Sequence, residues 1–253
     1  DVWFGGKTKN PWDLNQGASG SSAGSASATA AGLVAFSIGT ETLGSIISPS
    51  TRCGVTGLRP TFGSVSRAGC MSLSWSMDKV GPICRSAQDC AIVYSFIKEN
   101  DNTIEKDHTV VNYAFVFNPQ SDLSGYKIGY FKKLFDKDTS RVGSNNNETL
   151  ETLKRLGAQL VEVNLPDSIP YDVFDVILRA EAGAFFDELV LEHRDREMVE
   201  QHKGSRANSL RQSRFISAVE YLQANRHRKV LIEKFNKEIK NLDIIVSPTY
   251  GQY

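Results

Sequence analysis

Two serines, Ser21 and Ser45, lie in separate Gly/Ser-rich loops, Gly17-Ala-Ser-Gly-Ser-Ser-Ala-Gly-Ser25 and Gly39-Thr-Glu-Thr-Leu-Gly-Ser45. Glycine lets a backbone approach a ligand closely. Consecutive N–H groups in such loops can converge on a developing negative charge. A hydroxyl placed there can attack a carbonyl once a neighbouring group takes its proton. The pattern is therefore that of acyl transfer. Two other motifs compete with it. Gly20-Ser-Ser-Ala-Gly24 matches the Gly-x-Ser-x-Gly elbow of hydrolases, which would make Ser22 the nucleophile of a His-dependent esterase. An elbow follows a buried strand, yet Pro11–Ser19 is polar, and His108, His193, His202 and His227 all lie in hydrophilic surroundings. Gly6-Lys7-Thr8 looks like the end of a phosphate loop, but Asp1 stands where its first glycine belongs and Asn10-Pro11 where a helix must start.

The elements that must hold the serines follow from periodicity and punctuation. Small residues over 22–34 predict a closely packed, buried helix, and Ala35–Gly39 predicts a central strand. A loop with Pro49 covers 40–52, and short strands and turns occupy 53–66. Ser86 caps a helix running to Lys98. Residues 1–16 read as loop, and the polar stretch 99–125 as an excursion or boundary. Beyond it, strands at Tyr126–Phe131 and Gln159–Val163 flank a helix at Glu148–Leu156 closed by Gly157, an order that predicts a parallel or mixed sheet. Long helices over 171–193 and 209–240 precede a strand at Leu242–Val246 that Pro248 stops.

Composition narrows the function classes. With 253 residues, 40% hydrophobic and 23% charged, the chain can bury a sizeable core. Lys+Arg and Asp+Glu both number 29, so nothing points to nucleic acid or a membrane surface as partner. Arg226-His-Arg-Lys229 reads as a solvated helix face. Cys53, Cys70, Cys84 and Cys90 form no metal-ligand spacing with each other or with histidine, which argues against a zinc site. They read as buried thiols of a cytoplasmic protein, with a disulfide pair as the alternative.

Six segments occur in one order: Asn10-Pro-Trp-Asp13, Gly20-Ser-Ser-Ala-Gly-Ser25, Gly39-Thr-Glu-Thr-Leu-Gly-Ser-Ile46, Pro49, Cys53-Gly-Val-Thr-Gly-Leu-Arg-Pro-Thr61 and Asp78-Lys-Val-Gly-Pro-Ile83. That order resembles the amidase signature family. Leu156-Gly-Ala-Gln-Leu-Val-Glu-Val-Asn-Leu-Pro166 and Asp243-Ile-Ile-Val-Ser-Pro-Thr249 extend the likeness more weakly. The resemblance implies a single α/β domain over 1–253, with a central mixed sheet flanked by helices. Residues 1–98 would be its signature core and 99–253 its variable region. It also implies hydrolysis of a small-molecule amide at the carboxamide C–N bond by a Ser–cis-Ser–Lys triad, without metal or organic cofactor. Ser45 matches the nucleophile. Ser21 matches the bridging serine, which puts its hydroxyl within reach of Ser45 and a cis bond between Gly20 and Ser21. The N–H groups of Thr42, Leu43, Gly44 and Ser45 match the oxyanion hole, with Ser22 and Glu41 supporting. A homodimer or an amidotransferase-type complex is the implied assembly.

The family's lysine base has no match. Lys7 and Lys9 stand too close to Ser21, and Lys79 reads as a surface residue. The chain is therefore expected to be a fragment, cut before Asp1 and after Tyr253, and inactive alone. A non-catalytic amidase-like subunit is the alternative. Three departures matter: Leu43 where many members have Gly, Ile47 for the common Arg, and Glu41 for the usual Asp. An unpaired buried acid is costly. Glu41 is thus expected to pair with Arg52, Arg59 or backbone N–H groups.

Overall fold

The computed structural model describes residues 1–98, 107–111, 113–137 and 143–249. Residues 99–106 and 112 of the expected excursion, and the cut placed at Tyr253, lie outside the described residues. The chain forms two compact units, Asp1–Phe117 with Asp175–Tyr221, and Asn118–Phe174 with Leu222–Tyr253.

In the first unit, residues 1–16 are more ordered than their loop-like composition suggests. β1 (Val2–Trp3) pairs with β2 (Gly6–Lys7), and β3 (Lys9–Asn10) with β4 (Asp13–Gly17), both antiparallel. The turn between β3 and β4 is built by Asn10, whose Oδ1 accepts from the Trp12 N–H at 3.1 Å. Helix α1 (Ala23–Ala30) follows, then β5 (Ser37–Glu41), α2 (Ile47–Cys53), β6 (Thr56–Gly57), β7 (Lys79–Cys84) and α3 (Ala87–Lys98). Asn10 Nδ2 donates to the Arg52 carbonyl at 3.0 Å, and Trp12 Nε1 to the Cys53 carbonyl at 2.8 Å. The Asn-Pro-Trp-Asp segment thus satisfies the carbonyls left open at the end of α2. Ser86 caps α3 as expected, accepting from the Asp89 N–H at 3.1 Å.

Strands β5, β7 and β6 form an antiparallel sheet with β7 in the middle. The strand expected at Ala35–Gly39 runs two residues later. Among the described residues it is an edge strand and not a central one. Ala35 and Phe36 belong to an exposed approach, and Ile38 points outward. Likewise α1 buries only one face, through Ala23, Ala26 and Thr29. The core beneath the serine loops consists of Ala18, Ala23, Ala26, Ile46, Cys53 and Ile83. Cys53, Cys84 and Cys90 are buried free thiols, whereas Cys70 is exposed, against expectation.

The second unit carries β8 (Lys127–Tyr130), α4 (Lys132–Lys137), α5 (Gly143–Arg155), β9 (Gln159–Glu162) and β10 (Ile244–Val246). Both neighbours of β8 are parallel to it, which selects the parallel arrangement of the two that the strand–helix–strand order left open. Gly157, at φ 93°, ends α5. The fold is α/β, with antiparallel and parallel sheets. Each long helix read from the sequence is broken. The first becomes α6 (Val173–Phe185) and α7 (Asp187–Leu191), the second α8 (Arg206–Ser213) and α9 (Ala218–Ile239). A capping box restarts the last one: Ser217 N–H donates to Glu220, and Ser217 Oγ accepts the Glu220 N–H at 3.1 Å.

Candidate active site

Ser45 stands between the end of β5 and the start of α2, on a loop closed by one carboxylate. Glu41, 2% exposed, accepts from the Ile46 N–H at 2.8 Å and the Ile47 N–H at 2.9 Å. Its other oxygen faces Arg59 Nη1 at 3.6 Å. Both expected kinds of partner are present, and of the two arginines it is Arg59, while Arg52 Nη1 turns to Gln16. The carboxylate also meets the positive end of α2. Behind Ser45, Ile46 is fully buried and anchors the loop to the core.

The first serine loop docks on the second at two points. The Ser22 N–H donates to the Ser45 carbonyl at 3.1 Å, and the hydroxyls of Ser19 and Ser48 are 2.6 Å apart. Ser21 lies between those two tethers, and the Gly20–Ser21 peptide is cis. The Ser22 hydroxyl is committed to β5, donating to the Thr40 carbonyl and accepting the Thr40 N–H, each at 3.2 Å. All four histidines are exposed, and both partners of the Ser22 hydroxyl belong to Thr40, so neither observation favours the His-dependent esterase reading. The N–H groups of Leu43, Gly44 and Ser45 meet no acceptor among the described residues. A loop that presents unpaired donors beside a hydroxyl can receive a carbonyl oxygen as it becomes an oxyanion.

Thr42 is held from the opposite side by the head of β7. Its hydroxyl donates to Asp78, whose second oxygen accepts from Ser72 Oγ at 3.0 Å, Leu73 N at 2.8 Å and Ser74 N at 2.9 Å. Lys79 donates to the carbonyls of Thr42, at 3.3 Å, and Met77. Lys79 is therefore not the surface residue its place in a charged dipeptide suggested. It is half-buried and lines a cavity of about 100 Å³ with Ser21, Thr40, Thr42, Arg67 and Asp78. Burial pulls its pKa down to about 8, assisted by Arg59 and opposed by Glu41 and Asp78. The sequence signal was available: the apolar run Val80–Cys84 directly after Lys79 is the strand that buries it. The loop that holds Asp78 is pinned in turn by Glu181 of α6. This buried carboxylate accepts from the Ser74 hydroxyl, the Ser76 N–H at 3.1 Å and the Tyr221 hydroxyl at 2.9 Å.

Among the described residues no group of three or more His, Cys, Asp or Glu could hold a metal ion, and no helix is long and apolar enough to cross a membrane.

The family profile described as Amidase matches residues 3–252. The glutamyl-tRNA(Gln) amidotransferase A subunit of Marinomonas sp. is 35% identical over 97% of this chain and 55% of its own length. Among solved structures, the protein of the same name from Thermotoga maritima is 32% identical with a TM-score of 0.78, over 97% of this chain and 53% of that one. The native peptide amidase of Stenotrophomonas maltophilia is 28% identical with a TM-score of 0.77, over 97% and 55%. The chain thus spans about half the length of the relatives it matches.

Proposed function

Because the chain belongs to the amidase family, we propose that the protein cleaves the C–N bond of a small carboxamide by acyl transfer to Ser45. The Ser45 hydroxyl attacks the carbonyl carbon, and its proton passes to Ser21 and on to a lysine that residues 1–253 do not supply at a matching position. In the acylating enzyme the two hydroxyls come within about 2.6–3.2 Å. The carbonyl oxygen takes the negative charge and is received by the N–H groups of Thr42, Leu43, Gly44 and Ser45. The C–N bond breaks, the amine or ammonia leaves with a proton from the same relay, and water or ammonia releases the acyl group. The relatives named as components of an amidotransferase support a complex of that type as the working assembly; a homodimer is the alternative.

One observation carries this reading: the hydrogen bond from the Ser22 N–H to the Ser45 carbonyl, which holds the two serine loops side by side. The non-catalytic alternative gains nothing from Glu41, which is buried and fully paired. The test is labelling of the full-length protein with a fluorophosphonate probe, with the modified residue located by peptide mass. Modification at Ser45, lost in Ser45→Ala and slowed by about 10²–10⁴-fold in Ser21→Ala, is the expected result. Labelling that survives Ser45→Ala would exclude Ser45 as the nucleophile.

A further inference from the structure

Lys79 is used by nothing in the acyl-transfer scheme, yet its ammonium reaches the carbonyl oxygen of Thr42 at 3.3 Å. That oxygen and the Leu43 N–H belong to one peptide group. The Leu43 N–H meets no acceptor among the described residues, and it is one of the donors assigned above to the oxyanion. We propose that Lys79 is a positioning residue that holds and polarises the Thr42–Leu43 peptide, so that the Leu43 N–H is fixed and strengthened as a donor to the transition-state oxygen. The proposal rests on the reading of Ser45 as nucleophile.

The physics is that of a charge-assisted chain. A cation at a carbonyl oxygen draws density from the amide nitrogen and leaves its N–H more positive. Such a donor gains most where negative charge develops during reaction. The geometry is fixed from three directions. Asp78 takes the Thr42 hydroxyl, Glu41 closes the far side of the loop, and the Met77 carbonyl takes a second Lys79 proton. The charged groups facing the Lys79 ammonium are Arg59 and Arg67, which repel it, and Glu41 and Asp78, which attract it. Burial and the two arginines prevail, so the ammonium gives up its proton near pH 8. Polarisation is then present below about pH 8 and fades above it.

Two readouts test this in the full-length protein. The first is the carbonyl ¹³C resonance of Thr42, detected on carbon and assigned by its loss in Thr42→Ser. It is expected to titrate with a midpoint near pH 8 in the wild type and to stay flat in Lys79→Met and in Lys79→Arg, whose charge is fixed. This readout does not depend on which residue is the nucleophile. A Thr42 carbonyl that stays flat in the folded wild type, or moves equally in Lys79→Met, would overturn the proposal. The second is the rate of Ser45 acylation against pH. Loss of one oxyanion donor costs about 10²–10³-fold; weakening one by Lys79→Met is expected to cost on the order of tenfold and to remove a decline above pH 8. Lys79→Arg is expected to recover most of that loss. Equal acylation profiles for wild type and Lys79→Met would overturn the proposal, whereas labelling elsewhere than Ser45 would overturn the functional reading and leave the carbonyl titration to decide. If Lys79→Met does not fold, the wild-type and Lys79→Arg titrations suffice.

Discussion

Glu41 shows how one side chain can set a loop's shape. It gathers two N–H groups and a guanidinium, and these do not count equally. The N–H bonds are short and buried, and losing the acceptor would leave two backbone donors at the head of α2 unsatisfied. The Arg59 contact is longer, at 3.6 Å, and the arginine side chain is 52% exposed, so water screens it. Glu41→Leu, which removes the acceptor, is therefore expected to destabilise the fold by about 1–3 kcal/mol. Arg59→Met is expected to cost less than about 1 kcal/mol. Denaturant midpoints at constant slope measure both, and the reverse ranking would show that the ion pair dominates. The same comparison explains Ile47. Its backbone N–H is what the loop uses, and the positive charge expected at that position is delivered by Arg59. The need for a partner was legible from a buried acid in an otherwise uncharged loop. The choice of Arg59 over Arg52 was not, because it depends on where α2 ends and the chain turns back to β6.

At the scale of elements, the site depends on α1 and β5 lying unusually close. A Cβ on Gly39 would come within 2.9 Å of Ser22 Oγ, 3.0 Å of Ile83 Cδ1 and 3.1 Å of Ile46 Cγ1. Ser22 is fixed by its two bonds to Thr40, and Ile46 and Ile83 are fully buried, so none of the three can yield cheaply. Gly39→Ala is expected to push the first serine loop off the second, cutting Ser45 acylation at least about tenfold and costing about 1–3 kcal/mol in stability. Unchanged labelling would show that the contact between Ser22 and Ser45 is not required. Sequence reading found most elements where local signals agreed, as at Ser86, Gly157 and the small-residue helix. It missed β7, because Gly81 and Pro82 argue against a central strand; the strand tolerates them since β6 is only two residues long and the Pro82 carbonyl still accepts from the Leu58 N–H at 2.9 Å. It placed β5 too early because Ala35–Phe36 is apolar, and pairing with β7, not hydrophobicity, fixes where the strand starts. The long-helix reading over 171–193 failed at Phe186, and that over 209–240 failed before Ser217, although the Ser217-x-x-Glu220 capping box was there to be read.

At the scale of the whole molecule, residues 1–253 hold the proposed nucleophile, the bridging serine and the unpaired donors, but not the proposed base. These parts contribute differently. An oxyanion loop alone can stabilise a developing charge, yet it cannot remove the proton from a hydroxyl. Acid–base assistance typically supplies about 10²–10⁴-fold. Lys79 does not fill the gap in the proposed scheme, since both of its carbonyl partners accept from an ammonium and its task is to keep that charge. The 253-residue chain is accordingly expected to show negligible amide turnover and slow labelling, while a longer chain that supplies such a lysine is expected to label rapidly at Ser45. Thermal melting of the shorter chain, run in parallel, separates loss of chemistry from loss of fold. The decisive alternative is labelling of Ser45 in the 253-residue chain that rises through about pH 8 and vanishes in Lys79→Met. That outcome would make Lys79 the base, because a neutral amine is then what the reaction needs. It would also reverse the sign expected of the positioning role, in which activity declines as the same proton is lost.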